Sequence, residues 1–183
     1  MNINDFMGLD RRELKALMAS GHRVRPEELA GSTYEGVSLG VPAWVKRLSW
    51  TKFQKAFYRD PKTGRIRGWN IKTRDDDLES AWVDLKRGGV PRTFGHFDVI
   101  SDDEQATLTR SPGGVLLDYG RSGRGGNGVL NHLRDPVVAL SSSHADLLLG
   151  WSYLSFGSRV IGTPSYFLLR RGRTVDHVVD VPR

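Results

Sequence analysis

Lys52-Phe53-Gln54-Lys55-Ala56-Phe57-Tyr58-Arg59, followed by Asp60-Pro61-Lys62-Thr63-Gly64 and then by residues 65–73, is the clearest unit in the chain. Phe53 and Phe57 fall on one face of a segment of period two, Pro61 and Gly64 stand where a tight connection uses them, and 65–73 resumes as a second strand. The unit reads as a β-hairpin. Working outward from it, residues 34–39 form a strand candidate before it. Residues 92–100, 105–110, 114–119, 136–141, 146–156 and 159–171 follow, each short and alternating or rich in β-branched and aromatic residues. About eight or nine such segments in one domain-sized chain predict an antiparallel sheet closed into a barrel of lipocalin-like type. An interior made this way is either filled by side chains or left open for a ligand.

Helical patterns are few. Asp10 and Glu13 make a capping box ahead of Leu14, Leu17 and Met18, which predicts a helix over about residues 11–20 that Gly21 stops. Pro26, Glu27, Glu28 and Leu29 suggest a single further turn. Val41, Trp44, Val45 and Leu48 recur at helical spacing behind the first strand. Asp77 can cap an inserted helix in which Leu78, Ala81, Trp82 and Leu85 share a face and Gly88-Gly89 ends it. The expected organisation is a helical extension over 1–30, a barrel over 31–173 and a loose tail over 174–183.

With 183 residues, 38% of them hydrophobic, the chain can build one substantial core. No run approaches the roughly 18 apolar residues of a spanning helix, and the first ten residues lack a basic region leading into an apolar one. A cytoplasmic location is the resulting expectation. The absence of cysteine excludes disulfide scaffolds, thiol catalysis and cysteine metal sites. The histidines His22, His96, His132, His144 and His177 show no helical pair and no HExxH, so no metal is predicted. Ser141-Ser142-Ser143-His144 reads as a turn, since no GxSxG elbow exists, and the glycine-rich run 121–128 lacks both the P-loop ending and the GxGxxG context. No cofactor is implied.

Asp118-Tyr119, Asp135, the run 146–150 (Asp-Leu-Leu-Leu-Gly) and the run 166–171 (Tyr-Phe-Leu-Leu-Arg-Arg) resemble the C-terminal half of small uncharacterised bacterial proteins that carry a GxWxG domain beside a lipocalin-like segment. Trp50-Thr51-Lys52-Phe53 is similar to their Trp/Lys/Phe element, while no GxWxG motif stands near Tyr34. The resemblance spans about half the chain. It implies a calycin-like barrel and brings no activity with it.

The net charge of +6 is unevenly placed: ten basic residues between Lys46 and Arg74 stand against Asp60 alone. Interleaved with Phe53, Phe57, Tyr58 and Trp69, they could serve single-stranded nucleic acid as a stacking platform beside a phosphate-attracting groove, or simply form a solvated face. Phe94, His96 and Asp98 alternate onto one face, and a carboxylate two residues from an imidazole could orient it for proton transfer. An outward polar face opposite buried Phe97 and Val99 is the structural alternative. Asp118 and Arg134 suit either an internal ion network or a ligand's acid group.

The leading expectation is a hydrophobic small molecule, optionally with an acidic head, held among Trp69, Phe94, His96, Asp118, Arg134, Trp151, Tyr153, Tyr166 and Phe167. An isomerase or cyclase using His96 or Asp98 in the same pocket is the second, and nucleic-acid binding through the 46–74 hairpin the third. Each strand's inward face carries a one-residue ambiguity that moves every such residue at once.

Overall fold

A computed structural model describes residues 3–40, 51–74, 76–101, 113–121 and 128–180. The predicted 41–48 helix, the 105–110 strand and most of the 121–128 loop lie outside the described residues. The principal strands are β1 (Ser32–Leu39), β2 (Lys52–Arg59), β3 (Ile66–Lys72), β6 (Thr93–Ser101), β7 (Val115–Asp118), β8 (Leu133–Ala139), β9 (Leu147–Phe156) and β10 (Arg159–Thr174). They pair antiparallel in the order of the chain, and β10 returns to β1 through pairs such as Val37 with Leu168. The fold is thus mainly β, a single closed antiparallel barrel of up-and-down, lipocalin-like form. Between β3 and β6 sits a small hairpin, β4 (Lys86–Arg87) and β5 (Val90–Pro91).

The opening hairpin forms as its residues dictate. Gly64 adopts φ 71°, Asp60 accepts from the Lys62 amide at 2.8 Å, and Tyr58 pairs with Arg67 across the ladder. Helix α1 (Arg11–Ser20) begins at the expected capping box, with the Asp10 carboxylate accepting from the Glu13 amide at 2.8 Å. Its Leu14 and Met18 join Ile3 and Phe6 of a preceding 3₁₀ turn against Val37, Leu39, Val138, Leu149, Tyr166 and Leu168. These side chains are on the outer face of β1 and β8–β10. The short helix α2 (Pro26–Leu29) helps close one barrel end, where Val24 and Leu29 meet Tyr34, Phe57, Phe97, Val115, Leu148 and Leu169 from the inner wall.

Two expectations are corrected. Residues 77–87 do not form a helix: Ser80 closes a turn on Asp77, Thr73 bridges Asp84, and Gly88-Gly89 (φ 60° and 82°) turn the β4–β5 hairpin. The reason is tertiary. The Lys52 ammonium donates to Asp77 O and Ser80 O, carbonyls that would support the first helical turn, while the Leu85 amide binds Lys72 O beside the end of β3. Residues 175–179 are not loose either. Val175 and Val179 pack over Ala56, Trp69 and Ile71 on the outer wall, and Arg67 donates to Val179 O at 2.7 Å. No helix among the described residues is long and apolar enough to cross a membrane.

Candidate functional site: a polar cluster inside the barrel

At the barrel end opposite α2 lies a cavity of about 260 Å³. Phe53, Phe94 and Phe167 with Leu130 and Leu133 supply its apolar walls, and Ser38, Ser152 and Ser165 add hydroxyls. A cross-strand rule makes the room. Gly36 is paired with Phe53, Gly68 with Phe97 and Gly150 with Phe167, and a Cβ on any of these glycines would collide with the ring opposite. Each ring therefore lies against bare backbone. With side chains at those glycine positions the rings would be pushed inward.

The deeper wall is polar. Strand alternation places Lys55 between Phe53 and Phe57 on the inner face of β2, so its four-carbon stem carries an ammonium into the barrel. The Lys55 Nζ donates to Tyr119 Oη at 2.6 Å and Asn70 Oδ1 at 2.8 Å, and lies 3.5 Å from Asp135 Oδ2. Tyr119 in turn donates to Asp135 Oδ2 at 2.9 Å. Around the ammonium are the rings of Phe167, Phe97, Tyr119 and Phe53, with centroids 5.0, 5.2, 5.4 and 5.5 Å away. Asp135 Oδ1 is buried and has no hydrogen-bond partner among the described residues. Such an acceptor is expensive to leave unsatisfied, and one that stays so in a cavity wall is suited to meet a ligand.

Burial sets the titration behaviour. Removal from water pulls the Lys55 ammonium below its ordinary value, against the nearby Asp135 charge that favours the protonated form. The Tyr119 phenol is pushed well above its ordinary range by the same burial and by the Asp135 carboxylate. The phenol thus stays a donor at neutral pH, and the amine is easier to deprotonate than a surface lysine.

A bulge completes the site. Three residues of β3 (Gly68 to Asn70) stand against four of β6 (Phe97 back to Phe94), and Gly95 at φ 51° takes the extra place. Asn70 Nδ2 donates to Gly95 O at 2.9 Å, which aims Asn70 Oδ1 at Lys55. A Cβ at Gly95 would sit 2.8 Å from Asn70 Nδ2 and 3.2 Å from the Tyr119 ring.

Of the residues expected from sequence, only Phe94 and Phe167 line this cavity. The bulge separates Phe94 from His96 and Asp98: Phe94 and Phe97 both face inward, leaving His96 and Asp98 on the outer wall. There the His96 ring lies 6.2 Å from Trp69, and burial together with the charge of Arg67 lowers its pKa. Asp98 sits opposite Asp118 across β6–β7, its carboxyl raised mainly by burial. Trp69 points outward beneath Val175 and Val179 because its neighbours Gly68 and Asn70 take the inward positions.

Asp118 and Arg134 form the ion network, not a cavity wall, with Arg134 Nε 3.1 Å from Asp118 Oδ1. Trp151, Tyr153 and Tyr166 also leave the pocket: Gly150, Ser152 and Phe167 occupy the inward positions of β9 and β10, and the Trp151 ring packs outside against Tyr153 and Tyr166, with ring centroids 5.5 and 6.4 Å away. The aromatic platform expected on the 46–74 hairpin is, over its described residues 51–74, largely turned away from solvent, with Tyr58 left half-buried against Arg67. Phe53 and Phe57 face inward, Trp69 is covered, and Lys52 and Lys55 are buried.

Fold and site together define a closed antiparallel β-barrel with an internal, polar-floored cavity. No family model, curated protein or solved structure matches the chain.

Proposed function

We propose that the barrel binds a small, largely apolar molecule carrying one polar head, the head seated against Lys55, Asn70, Tyr119 and Asp135. The carrying observation is the cavity itself: about 260 Å³ with three phenyl rings on its walls and a connected polar cluster at its floor. A dry cavity of about 150 Å³ accommodates benzene, so this one has room for a ring with a short chain. The Lys55–Asp135 pair is neutral as a unit. A carbonyl or hydroxyl head therefore joins it without adding charge, whereas a carboxylate would compete with Asp135 for the ammonium.

Cinnamyl alcohol and cinnamic acid are suitable probes. Their binding is followed by amide chemical-shift changes and by calorimetry on the full chain, beside Ser152→Leu, which puts an aliphatic side chain into the space. The alcohol should bind with a dissociation constant on the order of 0.1 mM or below. Shifts should concentrate at residues 53–55, 70, 94, 119 and 165–167, and Ser152→Leu should abolish them. Diffuse surface shifts, or binding unchanged in a folded Ser152→Leu, would reject the reading. Tighter binding of the acid than of the alcohol would establish an anionic head.

A further inference from the structure

We propose that Lys55 captures a small aldehyde or ketone as a reversible Schiff base inside the barrel, with Asp135 and Tyr119 handling the protons; this rests on the reading of the cavity as a small-molecule site. The first support is placement. The amine stands in the wall of a cavity lined by phenyl rings, and the whole residue is only 3% exposed, so a bound carbonyl would meet it with bulk water largely excluded. Lys52, the other buried lysine of β2, provides the contrast. It faces the outside of the barrel and donates to Asp76 Oδ1, Asp77 O and Ser80 O at 2.5, 2.9 and 3.0 Å, beneath the Trp82 ring.

The second support is the pair of proton-handling groups at the amine. Tyr119 bridges Lys55 and Asp135 through its hydroxyl, and Asp135 keeps Oδ1 open to accept. The ammonium passes one proton to Asp135, and the free amine nitrogen attacks the carbonyl carbon, forming N–C as the C–O π bond opens. Proton transfer from nitrogen to oxygen gives a neutral carbinolamine. Asp135 then returns its proton to the hydroxyl through Tyr119, water leaves, and the nitrogen lone pair forms C=N. In sum, ammonium, carboxylate and carbonyl become iminium, carboxylate and water. The cavity begins and ends with one cation beside one anion, so the reaction never requires a new net charge in a low-dielectric space. Burial makes the first proton transfer easier by disfavouring the ammonium.

The test treats the full chain with cinnamaldehyde near pH 7.5, reduces with cyanoborohydride, and locates the adduct by intact mass and peptide mapping. A single adduct at Lys55 is expected, forming at least about tenfold faster than at Lys62 or Lys86, because the cavity holds the aldehyde against a buried amine that gives up its proton more readily than usual. Lys52 should stay unlabelled. Excess cinnamyl alcohol should suppress labelling at Lys55 and leave surface lysines unaffected. In folded Asp135→Asn and Tyr119→Phe, imine formation should slow at least about tenfold beyond any loss of alcohol affinity, and its pH profile should shift.

Binding of cinnamyl alcohol in the cavity without preferential labelling of Lys55 overturns the Schiff-base inference and leaves the binding reading standing. Failure of both the alcohol and the aldehyde to engage the cavity overturns both.

Discussion

The Lys55–Asp135 pair makes its sharpest prediction through its energetics. Both residues are almost wholly inaccessible, and each is the other's charge partner at 3.5 Å. Lys55→Met fills most of the stem's volume with an unbranched chain that aromatic rings accept, but it leaves the Asp135 carboxylate buried with only Tyr119 to stabilise it. Breaking one side of a buried pair in this way costs about 3–5 kcal/mol, which for a domain of this length lowers Tm by roughly 6–20 °C. Asp135→Asn acts from the other side, and its penalty has a ceiling. A lysine that cannot stay charged in the barrel sheds its proton, and from an ordinary value of 10.5 that costs at most about 5 kcal/mol at pH 7.

The double variant Lys55→Met/Asp135→Asn removes both charges and should be less destabilised than the two single penalties added together, with a coupling of about 2 kcal/mol or more. The pH dependence follows in sign. In Asp135→Asn the native state holds fewer protons than the unfolded chain between the depressed native pKa of Lys55 and 10.5. Its stability should therefore rise with pH relative to the double variant, by up to about 1.4 kcal/mol per unit. Above pH 10 the raised phenol of Tyr119 works in the opposite direction, since the unfolded chain ionises first. Urea unfolding of the four proteins between pH 7 and 9.5 measures the coupling and the Lys55 slope. Coupling below about 0.5 kcal/mol, together with an Asp135→Asn curve parallel to that of the double variant, would refute a charged, mutually dependent pair.

Gly150→Ala should cost about 1–3 kcal/mol in urea unfolding and weaken cinnamyl alcohol binding at least tenfold, because the new methyl group drives the Phe167 ring off the wall into the cavity. His96 has a lowered pKa, so stability should fall as pH drops below 6.5 and level off once the native imidazole also protonates; a stability–pH series of His96→Gln should lack that component. Truncation after Thr174 removes the cover of Val175 and Val179 from Trp69, and it should red-shift tryptophan emission and lower the urea midpoint while the far-ultraviolet spectrum keeps its β character.

How far the sequence could lead depended on whether a strand had one wet face. The 52–73 hairpin, the α1 capping box and the number of strands were legible because turns and caps are local chemistry. The inward faces of β9 and β10 were not. Leu148 points inward and Leu149 outward, yet both are fully buried, since the N-terminal segment covers the outer wall. With both faces apolar, alternation loses its meaning and aromatic content alone misplaces Trp151, Tyr153 and Tyr166. On β6 the one-residue bulge at Gly95 broke a period that was otherwise correctly read, taking His96 and Asp98 outward while Phe94 stayed in. The Asp77 helix failed because Lys52, distant in sequence, claims its carbonyls.

Lys55 itself was within reach of the sequence. The alternation that places Phe53 and Phe57 inside necessarily places Lys55 between them, although a lysine in so basic a hairpin reads by composition as a surface charge. Tyr119 follows Val115 and Leu117 inward, and Asp135 stands between Leu133 and Val137, by the same period. Lys55 of β2, Tyr119 just beyond β7 and Asp135 of β8 thus meet beside Asn70 of β3, in an interior whose remaining cavity walls are phenyl rings, leucines and three serines. An eight-stranded barrel can be packed solid with its own side chains, and replacing a buried ion pair by apolar residues is often neutral or stabilising. A chain optimised for stability alone would therefore fill the space with leucine and discard the pair. Here glycines hold the Phe53 and Phe167 rings against the wall, serines take cavity positions where larger side chains would close it, and a charged pair with an open carboxylate oxygen remains at the floor. All three features work against maximal packing at one end of the barrel, while the other end is packed tightly beneath α2. Stability sacrificed at one place in a fold, through several independent residues that share a cavity, points to a site kept for a ligand.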